Sequence, residues 1–117
     1  MRLTVLIVDD HAGFRAAARR LLEADGFCVV GEAANGEEAL AAVERVRPQV
    51  VLLDVQLPGA DGFAVAERLA REGHSSAIVL ISSRDSAARD PRFATTAARG
   101  FIPRSRLSGT SLAELLG

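Results

Sequence analysis

Five short apolar runs, each followed by a stretch of helical periodicity, constrain the fold of this chain more than any other feature. The runs are continuously apolar rather than alternating, which is typical of buried parallel strands. They cover residues 3–8, 27–30, 50–53, 77–81 and 100–102. Strands joined by helices in this way predict an α/β fold, with a parallel sheet, right-handed crossovers and helices on both faces.

Helix boundaries can be placed from capping residues. Asn35 and Asp61 are predicted N-caps of the second and third helices, and Gly26 and Gly73 stand where the first and third should end. The fourth connection is less regular because Pro91 interrupts it. We expect a loop through residue 89, a short helix over residues 93–98 and a last helix over about residues 111–116.

Composition narrows the class of protein. A chain of 117 residues has the size of one domain, which we expect to span residues 1–117. The formal net charge of −1 does not favour nucleic-acid binding. The single cysteine, Cys28, excludes an internal disulfide and is consistent with a reducing compartment. No apolar run is long enough to predict a membrane span, and the N-terminal run is too short for a signal peptide.

Polar residues follow four of the predicted strands: Asp9, Asp10, Asp54, Ser82 and Arg104. The carboxyl ends of parallel strands form one edge of the sheet, where ligands bind in such folds. Any one of these acidic residues could be a helix cap or a solvated loop residue. Three carboxylates in one cleft repel one another unless a cation lies among them. Mg²⁺ suits such oxygen ligands, and one carboxylate could then accept a phosphoryl group.

Three segments carry a resemblance to a known family. They are LIVDD at residues 6–10, LLDVQLPGADG at residues 52–62 and ARGFIPR at residues 98–104. In this order and at these separations they resemble the response-regulator receiver domains of two-component systems, over essentially the whole chain. The resemblance implies a doubly wound, flavodoxin-like (βα)5 fold with a five-stranded parallel sheet in the order 2-1-3-4-5.

The resemblance also implies roles for individual residues. Asp54 would be the phosphoacceptor, and Asp10, Asp54 and the backbone carbonyl of Gln56 would bind Mg²⁺, with Asp9 acting through water. Ser82 and Arg104 would assist at the phosphoryl group. Ser82 would also be the switch hydroxyl.

Phe101 occupies the family's aromatic switch position, although it could simply be a core residue of its strand. Gln56 and Arg84 occupy positions that tune phosphoryl lifetime in this family. Of the two histidines, we expect His11 at the exposed start of the first helix rather than on a metal, and His74 solvated in a turn.

A receiver domain of this kind would be a cytoplasmic signalling domain rather than an enzyme, assisting only its own phosphorylation and dephosphorylation. Its partners would be a sensor histidine kinase, or another member of a phosphorelay, and an unknown downstream protein. The resemblance implies neither membrane binding nor direct nucleic-acid binding by this domain. It would be a monomer or a phosphorylation-dependent homodimer.

Arg104 departs from the family, which has lysine at this position. The chain contains no lysine, so a compositional bias is one explanation. Another is that the planar guanidinium holds the carboxylates and alters switching. Ser105 stands where many members have a proline after the basic residue, so no cis peptide bond is predicted there.

Two other functions stay open. One is a pseudo-receiver, a protein-binding module that ignores phosphate, which Arg104 and the unusual fourth connection would favour. The other is a Mg²⁺-dependent phosphatase that forms an aspartyl phosphate. Such enzymes usually need a second acidic residue two positions after the nucleophile, where this chain has Gln56.

Overall fold

A five-stranded parallel sheet forms the centre of the fold. The computed structural model describes residues 2–83 and 90–117. The sheet contains β1 (Thr4–Val8), β2 (Cys28–Ala33), β3 (Val50–Asp54), β6 (Ala77–Ser82) and β7 (Gly100–Pro103). Two short strands, β4 (Gln56–Leu57) and β5 (Ala60–Asp61), form an antiparallel hairpin. The order β2-β1-β3-β6-β7 confirms the predicted order 2-1-3-4-5, since the hairpin strands lie outside the main sheet.

The sheet separates two apolar cores. The described helices are α1 (Ala12–Ala24), α2 (Gly36–Val46), α3 (Gly62–Arg71) and α4 (Gly109–Leu116). Helices α2 and α3 contribute to the core on one face, and α1 and α4 contribute to the core on the other. Strand β1 supplies both, with Leu6 and Val8 on one side and Val5 and Ile7 on the other. Burial on both faces explains why the central strands β1, β3 and β6 are almost continuously apolar.

The predicted helix boundaries are confirmed at four positions. Asn35 accepts a hydrogen bond from a backbone N–H in the first turn of α2, and Asp61 accepts two at the start of α3. Gly26 and Gly73 follow α1 and α3 with φ values of 95° and 78°. Those angles favour glycine over residues with a side chain.

The helix predicted over residues 93–98 is wrong. A 3₁₀ helix occupies Pro91–Ala94 instead, and bends follow it. Proline fits the first position of a helical turn, where Asp90 caps it. The turn ends early because Arg99 donates its backbone N–H to Ile78, which commits the chain to the sheet before a longer helix forms. The loop predicted through residue 89 lies largely outside the described residues, as does Arg84.

The last helix begins at Gly109, two residues earlier than expected. Ser108 and Ser111 form a capping box in which each side chain accepts a hydrogen bond from the other's backbone N–H. As predicted, residues 103–105 contain no cis peptide bond. Across the part of the chain that the structure describes, no helix is long and apolar enough to cross a membrane.

Candidate functional site

The carboxyl edge of the sheet brings together the residues that follow the strands. Asp9 continues the β1 pairing by donating its backbone N–H to Ala33, while Asp54 and Ser82 end β3 and β6. These three polar side chains lie among the buried residues, with exposed fractions of 0%, 4% and 2%. Burial of polar groups at one edge of an apolar sheet is costly and marks this edge as a candidate site.

Arg104 bridges the two buried carboxylates. Its Nη2 donates to Asp54 Oδ2 at 3.0 Å and also contacts Asp9 Oδ2. The guanidinium carbon lies 4.4 Å from the centre of the Phe14 ring, in a cation–π arrangement. Within residues 2–83 and 90–117, its buried Nε has no hydrogen-bond partner. The planar guanidinium therefore reaches both carboxylates from a stacked position, which a lysine could not reproduce.

The charged form of the Asp54 carboxylate remains unfavourable in this pocket despite its contact with Arg104. Its Oδ1 accepts a hydrogen bond from the backbone N–H of Gln56 at 3.0 Å. Burial raises the pKa of Asp54 from 3.8 to about 6, and nearby Asp9 acts in the same direction. The Gln56 N–H and Arg104 oppose this rise without cancelling it. The pocket thus has negative charge that another cation would stabilise, and its carboxylate oxygens are ligands suited to Mg²⁺.

Asp10 and His11 lie at the more exposed side of the pocket. The side chain of Asp10 is 35% exposed and that of His11 is 64% exposed. His11 Nδ1 lies 3.1 Å from Asp10 Oδ1 and 3.2 Å from Asp9 Oδ1. One potential ligand atom from each of these residues lies within 4.8 Å of the others. The exposure of His11 agrees with its predicted place, whereas its proximity to both carboxylates was not anticipated.

The two predicted switch residues are on neighbouring strands. Ser82 is paired in register with Pro103, beside the site. Phe101 is half-buried, and its ring packs edge-to-face on Phe93 with a centroid distance of 5.3 Å. Phe93 in turn packs on Phe63 of α3 at 4.9 Å. Phe101 and Phe93 are therefore partly buried and pack against the core on the α2 and α3 side of the sheet.

Gly62, the first residue of α3, lies close to the backbone of Asp54 and Val55. Its N–H donates to the Val55 carbonyl at 2.7 Å. A Cβ at this position would lie 2.3 Å from the Asp54 carbonyl oxygen and 2.8 Å from Val55 Cα. In the sequence, Gly62 stands out only as the last residue of the segment 52–62. The close approach of two backbone segments explains why a glycine stands eight positions after Asp54.

Comparison with known proteins agrees with this geometry. The model of the response regulator receiver domain family matches residues 5–108. This chain belongs to the response regulator receiver domain family. The receiver domain of NarL from Mycobacterium tuberculosis is 31% identical and has a TM-score of 0.86, with 99% of this chain and 98% of that one covered.

Curated relatives are longer than this receiver domain. A candidate transcriptional regulator of Pseudomonas aeruginosa is 38% identical over 112 residues, which are 96% of this chain and 52% of the relative. Response regulator GacA of Pseudomonas viridiflava is 33% identical over 115 residues, or 97% and 52%. The chain thus spans about half the length of these relatives. Receiver domains of this family act with histidine kinases in two-component systems and generally bind Mg²⁺ at an acidic pocket.

Proposed function

We propose that this receiver domain accepts a phosphoryl group on Asp54 from a sensor histidine kinase, in the presence of Mg²⁺, and thereby changes a protein-binding surface. The observation that supports this most is the environment of Asp54. It is a buried carboxylate whose two oxygens are oriented by the Gln56 N–H and by Arg104, beside a second buried carboxylate, Asp9. A structural carboxylate would have no need of such a repulsive neighbour.

The metal ligands in this proposal are Asp10, Asp54 and the backbone carbonyl of Gln56, with Asp9 acting through water. Bound Mg²⁺ would offset the negative charge of these carboxylates and of the incoming phosphoryl group. The exposed position of Asp10 leaves the pocket open toward solvent, where a kinase histidine could approach.

In the transfer step, a carboxylate oxygen of Asp54 forms a bond to phosphorus while the phosphorus–nitrogen bond of the phosphohistidine breaks. The electron pair of that bond leaves with the imidazole, which takes up a proton. Arg104 and Ser82 then donate hydrogen bonds to phosphoryl oxygens, in the manner expected of charge stabilisation in phosphoryl transfer. For this, Arg104 must exchange at least one of its carboxylate contacts for the phosphoryl group.

Because this exchange is required, we propose that Arg104 stabilises the unphosphorylated site more than lysine would. It contacts two carboxylates and stacks on Phe14, so its release disturbs three contacts. Phosphorylation would survive, while the response of Phe101 would be weakened or altered. The test is an Arg104→Lys variant. The proposal would be wrong if this variant and wild type were phosphorylated at the same rate and showed the same shifts of the Phe101 ring resonances on phosphorylation.

The primary test is intact-mass spectrometry of the domain with Mg²⁺ and a small acyl phosphate donor. The method suits a chain without tryptophan or tyrosine, because these common optical reporters are lacking. We expect a mass gain of one phosphoryl group in wild type and none in Asp54→Asn. No gain with any donor would favour the pseudo-receiver. Arg104 supports that alternative because it already supplies a cation to both carboxylates.

A further inference from the structure

A second cluster of ligand-type side chains lies at the opposite end of the sheet from Asp54. It consists of Glu44 in the last turn of α2, and Glu72 and His74 in the connection from α3 to β6. His74 was expected to be solvated, and that prediction is wrong: its side chain is only 8% exposed. The ends of α2 and α3 meet here, so a residue that follows a turn is covered by a neighbouring helix.

The imidazole of His74 points into this cluster. Nε2 lies 3.1 Å from Glu44 Oε1 and 3.8 Å from Glu72 Oε1. This nitrogen is buried, yet among the described residues it has no partner with hydrogen-bond geometry. Glu44 Oε1 is close enough to Nε2 for a hydrogen bond, so it is the angle between them that does not allow one. A buried, unpartnered nitrogen facing two carboxylates needs a compensating group.

The other carboxylate oxygens are directed elsewhere. Glu72 Oε2 accepts a hydrogen bond from Arg68 Nε at 2.9 Å, and Glu44 Oε2 lies 3.8 Å from Arg47 Nη2. Arg68 thus hydrogen-bonds one oxygen of Glu72, Arg47 lies near one oxygen of Glu44, and the other oxygen of each glutamate faces Nε2. Together these contacts present one nitrogen and two oxygens to a common point.

We propose that Glu44, Glu72 and His74 bind a divalent transition-metal ion such as Zn²⁺. Ligands of a tetrahedral ion with metal–ligand bonds of about 2.1 Å lie about 3.4 Å apart. The two nitrogen–oxygen distances, 3.1 and 3.8 Å, lie on either side of that value. In a tetrahedral site the ligand–metal–ligand angle is about 109°, so the ligand atoms point at the metal and not at each other. This agrees with Glu44 Oε1, which lies near His74 Nε2 but not in the direction of a hydrogen bond.

The donor set also favours this class of ion over Mg²⁺. Imidazole nitrogen suits Zn²⁺ and related metals, whereas Mg²⁺ prefers an octahedron of oxygens. Water would complete the coordination, since the side chains of Glu44 and Glu72 are 59% and 39% exposed. The ion would join the end of α2 to the segment that leads into β6.

The competing explanation is a metal-free ion pair, in which a protonated His74 bridges the two glutamates. The two readings differ at one atom, because Nε2 carries a proton in the ion pair and a metal in the proposed site. Long-range ¹H–¹⁵N NMR reports the state of ring nitrogens directly. The chain has only two histidines, so His11→Asn and His74→Asn variants assign every imidazole signal.

The experiment titrates the whole chain with Zn²⁺ in excess Mg²⁺, which occupies the acidic pocket near Asp54. His11→Asn is the matched control, because His11 also lies beside two carboxylates. We expect the His74 Nε2 resonance to shift in wild type and in His11→Asn. Calorimetry should show one binding event fewer in His74→Asn. Glu44→Gln, an exposed and conservative change, should weaken that event at least about tenfold even if His74→Asn fails to fold.

Two results would overturn the proposal. One is a His74 ring that stays doubly protonated, or is unchanged, while only His11 responds to Zn²⁺. The other is the same number of bound Zn²⁺ ions with the same affinity in wild type and Glu44→Gln. Neither result would bear on phosphorylation of Asp54, which the mass measurement tests separately.

Discussion

Replacing the proposed acceptor by asparagine is expected to stabilise the metal-free domain at neutral pH. Asp54 is buried next to Asp9, and these surroundings raise its pKa from 3.8 to about 6. The folded state therefore disfavours the charged carboxylate relative to the unfolded chain. The side chain introduced by Asp54→Asn has no charge, and its oxygen could still accept the hydrogen bond from Gln56 that Asp54 Oδ1 accepts.

The size and pH dependence of the effect follow from the same values. Because the pKa is higher in the folded state, the folded state keeps its proton to higher pH, and the stability of wild type falls as pH rises from about 4 to about 6. At about 1.4 kcal/mol per pKa unit, the free energy of unfolding of Asp54→Asn exceeds that of wild type by at most about 3 kcal/mol at pH values above about 6. Near pH 4.5 the difference between the two proteins is about 1 kcal/mol.

Urea unfolding followed by far-UV circular dichroism, in buffer with a chelator, measures this difference at about pH 4.5 and about pH 7.5. Glu114→Gln, at an exposed site on α4, is the control for loss of a negative charge. Adding Mg²⁺ should narrow the gap in stability at the higher pH, because the ion would bind the charged carboxylate of Asp54 and not the neutral amide. An Asp54→Asn variant that is no more stable than wild type at about pH 7.5 would refute the reasoning.

Three further substitutions, and one control, test the site and the residues that support it. Gly62→Ala should lower the free energy of unfolding by about 3 kcal/mol or more, since its Cβ would meet the Asp54 carbonyl oxygen. In the same urea titration, Gly13→Ala in α1 should be neutral or stabilising by up to about 1 kcal/mol, because the space there is open. Asp61→Ala removes the cap of α3 and should cost about 1 kcal/mol, and unchanged stability would contradict that role. Arg104→Met should bind Mg²⁺ more tightly in an NMR titration, because a competing cation is gone, and weaker binding would contradict this.

Local signals predicted most of the architecture. The strands could be located because both faces of the sheet are buried, so that no polar residue interrupts runs such as residues 50–53. Asn35 and Asp61 could be placed because a cap acts on N–H groups two or three residues away. The proximity of Asp9 and Asp54 could be predicted only with one further rule, which is that the carboxyl ends of parallel strands lie at the same edge of the sheet.

Other features depend on contacts that no local pattern encodes. The buried side chain of His74 lies against Glu44, which is thirty positions earlier and belongs to α2. The early end of the turn after Pro91 depends on the sheet accepting the backbone of Arg99. The resemblance predicted a cation at position 104, but its simultaneous contact with two carboxylates and an aromatic ring requires the folded geometry.

The close approach at Gly62 has a consequence for how mutational maps of this domain should be read. In a saturation library selected only for folding, Asp54 should tolerate many replacements, because its charge opposes folding. Gly62 should tolerate almost none, because every side chain begins with a Cβ, which would meet the backbone of Asp54 and Val55. A selection for signalling would deplete both positions equally. Comparing the two selections would separate the residue proposed to react from the residue that holds it in place.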